Sequence, residues 1–443
     1  MLKEKLKISE MASSVLPTRK AANSVSKGSE SAFGSGFELE LLNPHGFGLS
    51  DSRIDEDEPM EENWGSSRVL IEDSGSGFGF NLMIIDEIEK SSDLDYELTQ
   101  NEINFEKLQR IASTGLPTGG SRRATTWKLL LGYLPPLKDA WQKVLSENRS
   151  KYAKLKDEFL LTPTQHSSSE EGSSSGDPDD GSLRREDVSN DDHPLCLGEA
   201  SVWNKFFEYT QVAEQIDRDV ERTHPDLRFF SGDSSLSTRN KESMRNILLL
   251  FAKLNPTTRY VQGMNEVLAP IYYVFCIDTD EENAANAEAD SFACFVRLLS
   301  DSVDHFCQQL DDNRSVGIHS TISRLQQMLK ANDEELWRHL ELKSKVNLQF
   351  YAFRWITLLL TQEFPFNTVL RIWDSLLSSP SGVQDMLLRV CCAMLLCVKR
   401  RLLEGDFTAN LYLLLHYPQV DIEHLLQVAR DVVPDASSFR LSI

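Results

Sequence analysis

From about residue 103 onward, apolar side chains recur every three to four positions, the period of a helix buried on one side. Phe105, Leu108 and Ile111 are three apart, and Trp141, Val144, Leu145 and Tyr152 continue such a stripe. Ile247, Leu248, Leu249, Leu250, Phe251 and Leu254 predict a helix buried all round. Further helices are expected over 292–299, 303–310, 322–329, 350–360, 369–376, 386–403 and 411–417. Pro256, Pro365, the Ser/Pro/Gly stretch 378–382, Gly405 and Pro418 separate them. No segment alternates apolar and polar residues as a half-buried strand would, and no internal repeat stands out. The expectation is a single all-α, multi-helix domain over about 103–432.

Two segments break the pattern. Residues 1–98 are rich in Ser, Gly and acidic residues and read as a disordered acidic tail, because too little apolar surface is available to offset chain entropy. Within that tail Phe78, Phe80, Leu82, Met83, Ile84 and Ile85 are too apolar for a solvated stretch, and suit docking onto a partner or onto the domain itself. Residues 162–192, with two Ser triplets, read as a disordered acidic insertion inside the helical region, with serines open to phosphorylation.

Charge sharpens this division. The tail (1–100) carries a net −11 and the insertion (163–192) a net −7, so only −4 of the chain's −22 belongs to the remaining residues. No basic patch of the kind nucleic acid needs is present. The seven cysteines form no C-x-x-C pair and fall mostly in apolar runs, as reduced core thiols do. Residues 1–10 lack the apolar stretch of a signal peptide, and the longest apolar runs, 267–277 and 390–398, fall well short of the roughly 20 residues of a membrane span. A cytoplasmic protein is expected, whose membrane contact is peripheral or made through a partner. The nine histidines form no metal-ligand cluster, so no metal site is expected; without a phosphate-binding G-x-x-x-x-G-K-[ST] loop, the chain should bind no GTP of its own.

Two short segments carry candidate chemistry. If 216–222 is helical, Ile216, Asp219 and Arg222 lie along one side, with Ile216 anchoring inward and Asp219 one turn before Arg222, able to aim its guanidinium. Thr223, His224 and Pro225 then stop the helix, leaving Arg222 near its end. Tyr260-Val261-Gln262 follows Pro256 and continues into Gly263-Met264-Asn265-Glu266, which places Gln262 at the entrance of the next helix. Tyr209-Thr210-Gln211 has the same spacing but sits inside a continuous helical pattern, where its glutamine has no turn to present it. An arginine entering another protein's nucleotide site can stabilise charge on a transferring phosphoryl group, and a glutamine can orient the attacking water.

Arg123-x-x-x-Trp127, Ile216-x-x-Asp219-x-x-Arg222 and Tyr260-x-Gln262, in that order, resemble the three signature motifs of TBC-domain GTPase-activating proteins of Rab/Ypt GTPases. Gly115-Leu116-Pro117, the run 127–135, Phe353-Arg354-Trp355 and Arg371-Ile372-Trp373-Asp374 are similar to further landmarks of that family, so the resemblance covers roughly 103–418. It implies an arginine finger at Arg222 and a glutamine finger at Gln262. Asp219, Arg123 and Trp127 would support the catalytic surface, and Tyr260 would pack beneath Gln262. The implied partner is a GTP-bound Rab that brings its own GTP and Mg²⁺, and the implied role is regulation of vesicle trafficking on endomembranes. The alternative is a helical scaffold that binds a Rab without accelerating hydrolysis. Trp355 and Trp373 read as core, and Asp374 as a helix-end or buried hydrogen-bond partner rather than a catalyst.

Overall fold

The computed structural model describes residues 92–117, 120–160, 202–256, 258–302 and 317–433. The helices are α1 (92–99), α2 (Phe105–Ser113), α3 (Ser121–Leu130), α4 (Trp141–Leu160), α5 (Val202–Glu221), α6 (Ser235–Leu254), α7 (Met264–Cys276), α8 (Glu281–Ala285) and α9 (Ala287–Ser302). They continue as α10 (Ile318–Asn332), α11 (Glu334–Arg338), α12 (Ala352–Thr357), α13 (Phe366–Leu377), α14 (Val383–Cys397), α15 (Lys399–Glu404), α16 (Phe407–Leu415) and α17 (Ile422–Asp431). Among the described residues the sole extended pairing is one antiparallel bridge, Glu102 to Leu137. The all-α expectation holds.

Helix α7 explains where the site lies. Beyond its first turn its sequence is apolar on every side, and all its residues from Met264 to Phe275 except Tyr273 are buried. Helices α3, α5, α6, α8, α9 and α13 pack around it. A central helix of this kind fixes the position of its own first turn, and Gln262 immediately precedes it. A second packing centre is α14, buried from Met386 to Leu395 apart from Arg389 and covered by α10, α12, α13 and α17.

Buried charges tie the helices together where apolar packing alone would let them slide. Asp290 on α9 is fully buried and accepts from Lys128 Nζ (2.7 Å), Tyr133 Oη (2.6 Å) and Arg149 Nε (3.0 Å). Burial works to raise its pKa, yet the Arg149 and Lys128 cations and the Tyr133 hydroxyl hold it below the usual carboxylate range.

Three expectations are corrected. The tail boundary at 98 falls inside α1: Leu94 is fully buried, Glu97 Oε1 accepts the Asn104 backbone N–H at 2.6 Å, and Asp95 pairs with Arg122. A helix rich in acidic residues reads as tail when its inward leucines, Leu94 and Leu98, and its cross-helix partners are invisible. The helix expected over 350–360 ends at Thr357, because the backbone turns left-handed at Leu359 and Leu360, with φ of 49° and 65°. The helix expected over 386–403 breaks at Val398 into α14 and α15. The helix 303–310, the apolar stretch 78–85 and the insertion 162–192 lie outside the described residues. Cys276, Cys294, Cys391, Cys392 and Cys397 are all unpaired thiols, three of them buried.

Candidate functional site

Helix α5 ends at Glu221, and Arg222 is the first residue beyond it. Ile216 and Val220, at 0% and 4% exposure, anchor the helix inward, and Asp219 is buried on the same side. Arg222 points outward with 58% of its side chain exposed, and its Nη2 lies 2.8 Å from Asp219 Oδ1. The other carboxylate oxygen, Oδ2, accepts the Tyr260 hydroxyl at 2.7 Å. Burial and the Asp219 charge together push the Tyr260 phenol far above its ordinary range, so it serves as a fixed donor.

Residues 261–263 form a turn, and Gln262 is exposed at it. Gly263 permits this turn: its φ is 101°, and a Cβ there would lie 2.4 Å from Leu358 Cδ2. The buried Asn265 joins the two turns. Its Oδ1 accepts the Gly263 N–H at 3.2 Å, and its Nδ2 reaches Thr223 Oγ1 at 2.9 Å and the Asp219 carbonyl at 3.2 Å. Thr223 Oγ1 in turn donates to the Asp219 carbonyl at 2.8 Å. One buried network, Asp219, Tyr260, Asn265 and Thr223, thus sets the position of both exposed side chains.

Below it lies Glu266, 6% exposed. Asn265 Nδ2 is 3.3 Å from its Oε1. Burial raises its pKa to about 7, against the Arg222 charge, which lowers it. His224 Nε2 lies 3.4 Å from Glu266 Oε2, without the alignment of a hydrogen bond. Burial pushes His224 down to about 4, so at neutral pH the imidazole is uncharged.

Arg123 and Trp127 are placed elsewhere. Arg123 Nη2 and Nε meet the fully buried Asp374 at 3.0 and 3.2 Å, and Trp127 Nε1 donates to its Oδ1 at 2.8 Å. The Leu116 N–H completes the set at 3.0 Å, and Trp127 stacks on Trp373. These residues are core, as expected for Trp373 and Asp374, and their support of the site is packing of α3 against α7 rather than contact with a partner. Sequence reasoning missed Asn265, Glu266 and His224. The first two stood in the quoted run 260–266, where a polar pair opening an otherwise apolar helix was the available signal.

The fold and site define an all-helical domain that holds an arginine and a glutamine outward on adjoining turns. The family model of the Rab-GTPase-TBC domain matches residues 200–403, a span that contains both. TBC1 domain family member 13 of Homo sapiens is 35% identical over 407 residues, covering 78% of this chain and 98% of that protein. TBC1 domain family member 5 of Homo sapiens is 28% identical over 344 residues, which is 69% of this chain and 40% of its relative. Among solved structures, the Ypt/Rab-GAP domain of Gyp1p superposes with a TM-score of 0.59 at 25% identity, over 78% of this chain and 98% of that one. The chain belongs to the TBC-domain family of Rab GTPase-activating proteins. Among the described residues no helix is long and apolar enough to cross a membrane.

Proposed function

We propose that this chain accelerates GTP hydrolysis by a Rab-family GTPase in its GTP-bound state, supplying Arg222 and Gln262 in trans to an active site whose GTP and Mg²⁺ belong to the GTPase. The observation that carries this reading is that the arginine and the glutamine are both exposed and are positioned by one buried hydrogen-bond network. Asp219 takes one guanidinium nitrogen and so aims the group outward. On docking, the guanidinium would leave water for the β/γ-phosphate region, where its charge counts for more than in solvent. The Gln262 amide carries both a donor and an acceptor, which suits it to hold the attacking water. Positioning and electrostatics are the whole of the contribution, because phosphoryl transfer to water needs no covalent step from the activator. Such an activator acts in vesicle trafficking, from the cytoplasm or peripherally on endomembranes.

The test is single-turnover GTP hydrolysis by a panel of purified Rabs. The wild-type chain should accelerate at least one of them. Arg222→Ala should lose about 10³-fold or more of that acceleration, equivalent to about 4 kcal/mol of barrier. Gln262→Ala should lose about 10²-fold. Binding without acceleration by the wild type, or full activity in Arg222→Ala, would mark the chain as a non-catalytic scaffold instead.

A further inference from the structure

Among the described residues, five non-glycine residues have left-handed backbone: His224, Arg259, Lys345, Leu359 and Leu360. Strained backbone persists where its surroundings over-determine it, and it concentrates at working sites. His224 follows Arg222 by two residues and Arg259 precedes Gln262 by three, so two of these positions flank the fingers. Leu359 and Leu360 lie far along the chain, just past α12 and in no signature motif. Buried groups hold them. The Leu359 carbonyl accepts Trp373 Nε1 at 3.1 Å, the Leu360 N–H donates to the Trp355 carbonyl at 3.0 Å, and both tryptophans are buried. Arg354 grips the Glu363 carboxylate at 2.6 and 2.9 Å and donates to the Leu415 carbonyl at 2.9 Å, which ties down the far end of the loop.

What this strained loop fixes is Leu358, half-buried, whose N–H donates to the Arg354 carbonyl at 3.1 Å. Its Cδ2 fills the space beside Gly263, 2.4 Å from where a Cβ on that glycine would stand. Gly263 is buried and follows the exposed Gln262 directly. The turn is therefore held at two points. Asn265 Oδ1 accepts the Gly263 N–H at 3.2 Å, and the Leu358 methyl packs against the bare Cα. One hydrogen bond fixes the direction of an N–H but leaves the peptide free to tilt about it, and a methyl group against the Cα blocks that tilt. We propose that Leu358 is a positioning residue for the glutamine finger, acting through its contact with Gly263, a role that rests on the reading of Gln262 as that finger. The contact is steric, so it needs a long apolar side chain at 358 and none at 263. The bonds to Trp355 and Trp373 keep the backbone behind Leu358 from backing away.

The experiment uses the full chain with a GTP-loaded Rab that the wild type activates, at a temperature well below the melting of every variant. It compares Leu358→Ala and Leu358→Met, each alone and combined with Gln262→Ala. Leu358→Ala opens the space beside Gly263 and should lower kcat about tenfold with KM near wild type. Leu358→Met refills that space with a side chain of similar volume and should restore most of kcat; it also keeps the comparison open if the alanine variant folds poorly. In the Gln262→Ala background the Leu358→Ala loss should vanish, because a residue that acts only through the finger has nothing left to position. Damage to the fold at large would instead repeat the tenfold loss in both backgrounds. Wild-type kcat in Leu358→Ala, a loss confined to KM, or a loss that persists without Gln262 would overturn the assignment while leaving the two-finger reading intact. A wild-type chain that activates no Rab would overturn both.

Discussion

Asp219 serves two side chains with one carboxylate, aiming Arg222 with one oxygen and holding Tyr260 with the other. Its neighbour Glu266 sets the titration behaviour of the site. Glu266 keeps its proton in the fold from its ordinary 4.5 up to about 7, so the stability it contributes is present in acid and is lost as pH rises to about 7. His224 runs the other way. Its contribution is present above the usual 6.5 and is lost as pH falls through about 4. Between about 4.5 and 6.5 the two slopes oppose each other, and above that Glu266 alone still changes. Stability of Glu266→Gln, measured by melting across this range, should therefore improve relative to wild type as pH rises from about 4.5 to about 7. By two to three pKa units the change is on the order of 3 kcal/mol. A difference that is flat in pH would mean that Glu266 ionises like an exposed carboxylate. The motif residues Arg222, Asp219, Tyr260 and Gln262 were legible because spacing within a helix and at its entrance decides which way they face. The role of Asn265 was not, since nothing local says that a residue opening one helix bonds Thr223 just past the end of another.

At the scale of elements, the helix α7 and the turn before it act as one piece. The helix is buried on nearly all sides, so the turn cannot relax outward, and Leu358, just past α12, closes it. Gly263→Ala meets both constraints at once, a φ of 101° and a Cβ overlapping Leu358. It should destabilise the domain by about 1–3 kcal/mol and lower activation further than the melting loss explains, because the strain is relieved by moving Gln262. Equal activity per folded molecule would show that the turn tolerates a side chain. Apolar period located most of these helices, since one-sided burial writes itself into sequence at the helical repeat. It overran at 350–360, where Leu358, Leu359 and Leu360 look like a continuing stripe. Their apolar character serves a tight loop instead, with Trp355 and Trp373 taking its backbone groups.

For the whole molecule, the determining contacts join residues far apart in the chain. Asp374 gathers Arg123, Trp127 and the Leu116 N–H, and α1 adds Leu94 and the pairs Asp95 to Arg122 and Glu97 to Lys107. A chain beginning at residue 100 should thus melt with about 2–5 kcal/mol less stability than one beginning at 92, the usual loss for a buried leucine. Indistinguishable melting curves would show α1 to be dispensable. By itself the sequence determined that the domain is helical, which residues carry the candidate arginine and glutamine, and that Trp355 and Trp373 are core. Those follow from helix periodicity, turn residues and spacing, all of them local. Only the tertiary structure decided that Asn265 joins the two fingers, that Leu358 closes on Gly263, and that 92–99 belongs to the domain. Each of these depends on a hydrogen bond or an apolar contact across the fold, and chain distance carries no record of such contacts.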